Sequence, residues 1–248
     1  MIFGFLFVPF LACSEKNSDT SSATNTETTG PSAEPGTEPG GEPGGEPGGE
    51  PSGEPEEDNI EVLYAGDLII TEIHKNPCVL GDDSDGDGNL DCTLDDELGE
   101  WFEVYNKFDK PVNLKGLIIS DLSTEPESFT ITENFIVDSG AYVVFGNNGD
   151  SATNGGYTPD YVYNGGEGGF KLSNSDDEIV ISNATTVIDE VKYDNGETFP
   201  DDKGYSLSLA PNVLDAQDND DGSNWCKAGS PFGVGDSGSP GEENSCLD

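Results

Sequence analysis

The sequence is poor in positive charge. It contains no arginine, and its nine basic residues, all lysine, stand against 51 acidic ones, so the formal net charge is −42 at pH 7. Such a surface repels DNA, RNA and anionic lipid, because those partners are held through clustered lysine and arginine. Cations and proteins with basic patches remain as electrostatically favoured partners. The composition therefore predicts a well-solvated surface and no nucleic-acid partner.

The side chains of common catalytic sites are scarce as well. The single histidine, His74, has no second histidine with which to form a zinc pair, and we expect it to be exposed or capped. The glycine-rich stretch at residues 166–170 lacks the lysine and helix of a phosphate loop. Glu100 and Glu103 would point to opposite faces of a strand, which does not suit a glycosidase pair. We predict a non-catalytic protein, with a metal-dependent hydrolase as the less favoured alternative.

Long hydrophobic runs are also missing. The longest uncharged apolar stretch, MIFGFLFVPFLAC at the N-terminus, is too short to cross a bilayer as a helix. It matches the apolar region of an export signal, and its last four residues, FLAC, resemble a bacterial lipobox. We predict that residues 1–13 are a signal peptide with a lipobox-like end. Acyl chains on Cys13 would then anchor the protein at the bacterial outer membrane or cell surface; an ordinary cleaved signal and a secreted protein are the alternative.

Residues 14–59 have no large apolar side chains. Their first half is rich in serine and threonine, and their second half repeats Glu-Pro every four residues from Glu34 to Pro55. Nothing offsets the entropy that such a segment would lose on ordering, so we predict a disordered N-terminal stalk. Its glutamates repel one another and extend it. This suits a tether that lifts a domain off a membrane, while a repeated ligand for a partner domain is the alternative.

The pattern changes at residue 60 to short segments rich in isoleucine, valine, threonine, tyrosine and phenylalanine. Clusters of glycine, asparagine, aspartate and proline separate them, and no stretch has helical periodicity. In EWFEVYN, Phe102 and Val104 share one face, while Trp101 and Glu103 share the other. This pattern predicts one all-β sandwich over residues 60–248. The predicted strands are DLIITEI, EWFEVYN, LKGLIIS, SFTIT, AYVVFG, DEIVIS, TVIDEVKY and YSLSLA.

Five cysteines occur in the chain, and with Cys13 lipidated four remain. An even number suits two disulfides in an oxidising compartment, whereas reduced thiols in a cytosolic protein are the alternative. Four cysteines allow three pairings. Proximity along the sequence favours Cys78–Cys92 and Cys226–Cys246.

An acidic insertion at residues 78–99 has the spacing of a calcium loop. Acids fall at loop positions 1, 3, 5 and 9, and Gly88 falls at position 6, where the loop must turn sharply. Position 12 is Leu94, so the last carboxylate must come from elsewhere. We predict structural Ca²⁺, against a merely solvated acidic loop, and we expect residues 215–222 to form a polar surface turn. The candidate ligands are Asp83, Asp85, Asp87, the carbonyl of Asn89 and Asp91, with Asp95, Asp96 or Glu97 completing the site.

An ordered series of segments runs from LIITEIHKNP through GEWFEVYN, VNLKGLIISD, SGAYVVFG and LSNSDDEIVISNATTVIDEVKYD to GYSLSL, NW and GSPGEEN. Over about residues 66–244 it resembles the lamin-tail domain, most closely the exported bacterial type. The resemblance implies an immunoglobulin-like β-sandwich that acts as an interaction module and has no established catalytic residues. We therefore expect a membrane-anchored binding or adhesion module, with an architectural envelope component as the alternative. The expected partner is an envelope protein, a matrix polymer or a neighbouring cell, and the membrane is contacted only through the acyl anchor.

Overall fold

The structure, a computed structural model, describes residues 62–78, 92–163 and 169–247. The predicted leader, the predicted stalk and most of the acidic insertion lie outside these residues. The described chain is almost entirely β-structure, with one helical turn, α1 (Asp96–Gly99), and one 3₁₀ turn (Gly222–Asn224). The strands are β1 (Leu68–His74), β2 (Trp101–Asn106), β3 (Val112–Asn113), β4 (Ile118–Ser120), β5 (Ser128–Thr130), β6 (Ile136–Val137), β7 (Tyr142–Gly146), β8 (Tyr161–Val162), β9 (Asp177–Ser182), β10 (Val187–Tyr193), β11 (Leu207–Leu209) and β12 (Trp225–Lys227).

Two main sheets form a sandwich. One has six strands in the order β12-β11-β1-β2-β7-β8, the other has four in the order β10-β9-β4-β5, and β3 pairs with β6 beside them. All pairs are antiparallel except β7 with β8. The hydrophobic core combines side chains of both sheets, such as Ile70 and Phe102 with Ile119 and Ile181. The predicted immunoglobulin-like β-sandwich is thus confirmed.

The alternation along β2 decides which side chains enter this core. Phe102 and Val104 lie in the main core, whereas Trp101 belongs to a second apolar cluster with Val144 and Tyr157. Strand geometry alone sends these two sets to opposite faces. The second face is buried too, because loops and the C-terminal segment cover it. Glu103 on that face is therefore inaccessible to solvent.

The helical turn α1 departs from the sequence expectation of no helix. It contains only four residues. A single turn has no repeat at 3.6 residues to detect, so hydrophobic periodicity cannot reveal it.

The two disulfides join Cys78 to Cys92 and Cys226 to Cys246, the pairing that proximity favoured. The first closes the acidic insertion at its base. The second attaches the C-terminal segment to β12, where the Leu247 amide donates to the Lys227 carbonyl at 2.9 Å. No helix in the described ranges is long and apolar enough to span a membrane.

Candidate functional site

The acidic insertion leaves the sandwich at the end of β1 and returns at α1. Its base is narrow, because the Cys78–Cys92 disulfide holds the two Cα atoms 4.5 Å apart. Most of the predicted calcium ligands, and the predicted lipidation site Cys13, lie outside the described residues. The ligands concerned are Asp83, Asp85, Asp87, Asn89 and Asp91.

Asp95, Asp96 and Glu97 are the predicted ligands that the structure does describe, and Glu97 is exposed and pairs with Lys171 at 2.6 Å. Asp95 precedes α1 and is exposed, and its side chain makes no capping hydrogen bond. Asp96 is half-buried, and the side-chain amide of Asn174 donates to its carboxylate. Burial raises the pKa of Asp96, and the neighbouring Asp95 charge raises it further. The described residues alone contain no group of three or more acidic, histidine or cysteine side chains that would hold a metal.

A buried His–Asp pair contacts the chain at the first cysteine of the insertion. His74 Nε2 lies 3.0 Å from Asp236 Oδ2, and the same oxygen accepts the Cys78 amide at 2.7 Å. The imidazole packs against the rings of Trp101 and Phe232, at 5.5 and 5.4 Å between centroids, and those two rings also contact each other. Asp236 therefore connects the root of the insertion to the core. His74 is capped by this carboxylate and is not exposed, so the second of the two alternatives stated from the sequence applies.

Two glutamates form a second buried cluster on the outer face of the six-stranded sheet. Glu72 on β1 is directly opposite Glu103 on β2. Burial raises the pKa of both carboxyl groups, and the pKa of Glu103 is raised further by Glu72. Both glutamates lie on the face of their strands opposite the main core. Alternation along the sequence predicts that this face is exposed, so it does not indicate that the two side chains are buried.

Hydroxyl and amide donors surround the two glutamates. The Ser239 amide donates to both carboxylate oxygens of Glu72, at 3.1 and 3.0 Å, and the Gly241 amide donates to Glu103 at 2.7 Å. Glu72 also accepts from the hydroxyls of Ser206 and Ser208. The pair thus holds the C-terminal segment, which begins with the GSPGEEN motif, onto the sheet.

Glu100 has a separate structural task. It is buried just before β2, and the Leu172 amide donates to its Oε2 at 3.1 Å. Burial raises the pKa of Glu100 to about 9. Glu100 and Glu103 therefore hold different segments, and they do not face a common cleft in the described structure.

Two open cavities lie elsewhere on the sandwich. One, of about 290 Å³, is mainly apolar and is lined by Val62, Leu63, Lys115, Leu117 and Ala184 among others. The other, of about 410 Å³, lies at a corner of the sandwich, where Gly66, the start of β10 and residues 215–217 meet. Neither cavity is lined by any of the predicted calcium ligands that the structure describes.

The family model of the lamin tail domain matches residues 63–195, which is more than half of the chain. A search of curated proteins gives no match. The matched region ends before β11, β12 and the C-terminal segment, although these complete the six-stranded sheet and supply donors to Glu72 and Glu103.

Proposed function

Because the chain belongs to the lamin tail domain family, whose members have an immunoglobulin-like fold, we propose that it is a non-catalytic binding module displayed outside the cell. The module is the sandwich of residues 60–248. Residues 14–59 serve as its tether, and acyl chains on Cys13 anchor it at the outer membrane or cell surface. Two disulfides support this location, since such bonds persist in oxidising compartments.

The buried ionisable side chains support this proposal most directly, because they hold other segments of the chain in place. Glu72, Glu103 and Glu100 each accept backbone amides from other segments of the chain. The His74–Asp236 pair likewise fixes the root of the acidic insertion. These groups hold loops in place on a rigid sandwich, and such loops are the part of a scaffold that usually carries binding.

The charge of the chain narrows the class of partner. With 51 acidic residues against nine basic ones, the module attracts a basic patch on an envelope protein, a matrix polymer or a neighbouring cell. Nucleic acid is repelled, and the membrane is contacted only through the acyl anchor. Binding of this kind weakens with salt, because screening shortens the range of the attraction.

Structural calcium in the acidic insertion is part of the proposal. Asp83, Asp85, Asp87 and Asp91, with the Asn89 carbonyl, form an oxygen-only donor set of the kind that Ca²⁺ prefers. The Cys78–Cys92 disulfide brings the ends of the insertion together. The exposed Asp95 and the half-buried Asp96 follow closely and are suited to complete the site, since a cation would favour the charged form of Asp96.

Binding to isolated envelope tests the proposed function. The full chain is titrated onto envelope fractions and purified matrix polymer, in millimolar calcium and in chelator. We expect saturable binding that falls in chelator and in an Asp85→Ala/Asp87→Ala double variant. A Glu125→Ala/Glu133→Ala double variant removes the same charge at two exposed sites and should bind as the wild type does.

Two outcomes would contradict the proposal. Failure to saturate on any fraction would favour the architectural component. Metal-dependent hydrolysis of a matrix polymer would favour an enzyme. Separately, Cys13→Ser should abolish incorporation of labelled acyl chains and release the protein from membranes, and unchanged membrane retention would exclude the anchor.

A further inference from the structure

A buried side chain joins the two sheets at one corner of the sandwich. Asp189 on β10 is 2% exposed, and its Oδ2 accepts the Ile70 amide of β1 at 2.6 Å. A register shift occurs between Ile70 and Glu72 in the pairing of β1 with β2. The carboxyl group thus connects an edge strand of the four-stranded sheet to a central strand of the other sheet.

Asn219 packs against this carboxyl group and is fully buried. It comes from the acidic stretch at residues 215–222, which is a surface turn as expected but carries this one side chain inward. Its Nδ2 donates to Asp189 Oδ2 at 2.8 Å and to the Ile70 carbonyl at 3.2 Å. Because both neighbours of Nδ2 are acceptors, the orientation of the amide is determined.

One oxygen on each of these two side chains is left without a donor. Asp189 Oδ1 and Asn219 Oδ1 are both buried and have no hydrogen-bond partner in the described structure. Two unpaired buried acceptors are unfavourable, since each has lost its water. The carboxyl and the amide are already joined by the 2.8 Å bond from Nδ2 to Oδ2. A protonated carboxyl group can accept from an amide nitrogen through one oxygen and donate to the amide oxygen through the other.

We propose that Asp189 carries a proton below neutral pH and donates it to Asn219 Oδ1. The two groups then form an acid–amide pair with two hydrogen bonds, which fastens β10 to β1. Loss of the proton leaves two buried oxygens without a donor and loosens this corner. The pair is a pH-sensitive tie between the two sheets, beside the cavity of about 410 Å³ that Asp189 helps to line.

The electrostatic surroundings agree with this geometry. Burial raises the pKa of Asp189 to about 7, against the opposing effect of the hydrogen bonds that it accepts, and the nearby Asp220 charge raises it further. Basic groups on the surrounding elements are already paired with acids: Lys192 with Glu190 on β10, and Lys107 with Asp215 of the turn. The other acidic groups on these elements are Asp67 before β1, Glu72 on β1, Asp177 and Glu178 on β9, and Asp218 and Asp221 in the turn.

The sign of the pH effect follows from this shift. Asp189 is protonated in the folded chain and ionised in the unfolded chain between about pH 4 and pH 7. Folding therefore takes up about one proton at this group near pH 5.5, and none well above pH 8. The contribution of Asp189 to stability is therefore full below about pH 4, falls as the pH rises from about 4 to about 7, and is absent above that.

Carboxyl signals of the full chain, labelled with ¹³C only at aspartate, test the proposal without interference from the buried glutamates. We expect one protonated carboxyl at pH 6 that ionises by pH 9, in infrared or NMR spectra. Asp189→Asn should remove this signal. Asp215→Asn, which alters another aspartate beside the same cavity, should leave it unchanged.

Hydrogen exchange at the Ile70 amide tests the tie itself. Its protection, corrected for the intrinsic pH dependence of exchange, should fall in the wild type as the pH rises from 6 to 9. In Asp189→Asn it should stay constant, because an amide–amide pair keeps both hydrogen bonds. If that variant does not fold, the Asp189 carboxyl signal of the wild type can still be assigned. The assignment uses NMR coupling between the Ile70 amide nitrogen and the Asp189 carboxyl carbon across their hydrogen bond.

Three results would overturn the proposal. The first is a wild-type Asp189 that is already ionised at pH 6. The second is a carboxyl signal that shifts on addition of Ca²⁺ or chelator, which would assign the unpaired oxygens to a cation. The third is Ile70 protection that falls equally with pH in the wild type and in Asp189→Asn.

Discussion

Replacing Glu100 with glutamine should stabilise the protein at neutral pH. The pKa of Glu100 is raised from 4.5 to about 9 by burial. Its folded form is therefore neutral at pH 7, whereas its unfolded form is ionised. Ionisation on unfolding favours the unfolded chain by about 1.4 kcal/mol per pH unit above 4.5, which amounts to about 3 kcal/mol at pH 7. Glutamine removes this term and keeps an oxygen to accept the Leu172 amide.

Thermal unfolding of the full oxidised chain between pH 4.5 and pH 9 measures this effect. A change of about 3 kcal/mol corresponds to a rise in Tm of roughly 6–12 °C for a domain of this size. The wild type and Glu100→Gln should unfold at similar temperatures near pH 4.5, and the difference should grow as the pH rises. Surface repulsion also relaxes on acidification, but it does so equally in both proteins. Glu125→Gln, at an exposed site, is the matched control.

Parallel curves of Tm against pH for the wild type and Glu100→Gln would refute this reasoning. They would mean that the carboxyl group is ionised in the folded protein at neutral pH. A lower Tm for the variant at every pH would show that the buried site cannot accommodate the NH₂ group of glutamine. Parallel curves would therefore also question whether the other buried carboxyl groups are neutral in the folded protein.

Three further predictions concern the acidic insertion and the C-terminal segment. Millimolar Ca²⁺ should raise the Tm of the wild type but not that of Asp85→Ala/Asp87→Ala, and equal responses would exclude a site in the insertion. Glu103→Ala should accelerate hydrogen exchange at the Gly241 amide, which donates to Glu103 at 2.7 Å, and unchanged exchange would show that the segment is held otherwise. Cys246→Ser opens a disulfide with a sequence separation of 20 and should destabilise the fold by about 3 kcal/mol in urea titrations, whereas a loss near zero would contradict the chain-entropy estimate.

The sandwich and both disulfides could be predicted from sequence because each depends on local signals. Phe102 and Val104 alternate with Trp101 and Glu103 along β2, and this alternation places them on opposite faces. The cysteines lie near their partners along the chain, with separations of 14 and 20. The ordered series of strand motifs indicated the family, which the match over residues 63–195 confirmed.

The buried polar groups could not be predicted, because their partners are distant in the sequence. His74 and Asp236 are 162 residues apart, and Ile70 and Asn219 are 149 residues apart. A polar residue that alternates on a strand suggests an exposed face, and only the covering C-terminal segment makes Glu103 inaccessible. Asn219 gave no signal either, since it stands among aspartates that are typical of a surface turn.

The claim that this lamin-tail sandwich is a binding module is tested most directly by equilibrium binding of the full chain to envelope fractions. The fraction bound is measured against protein concentration at low and high salt, in the presence of calcium. We predict a saturable curve whose apparent Kd increases with salt, because the module presents a strongly acidic surface. Binding that stays linear with concentration at both salt levels would contradict it.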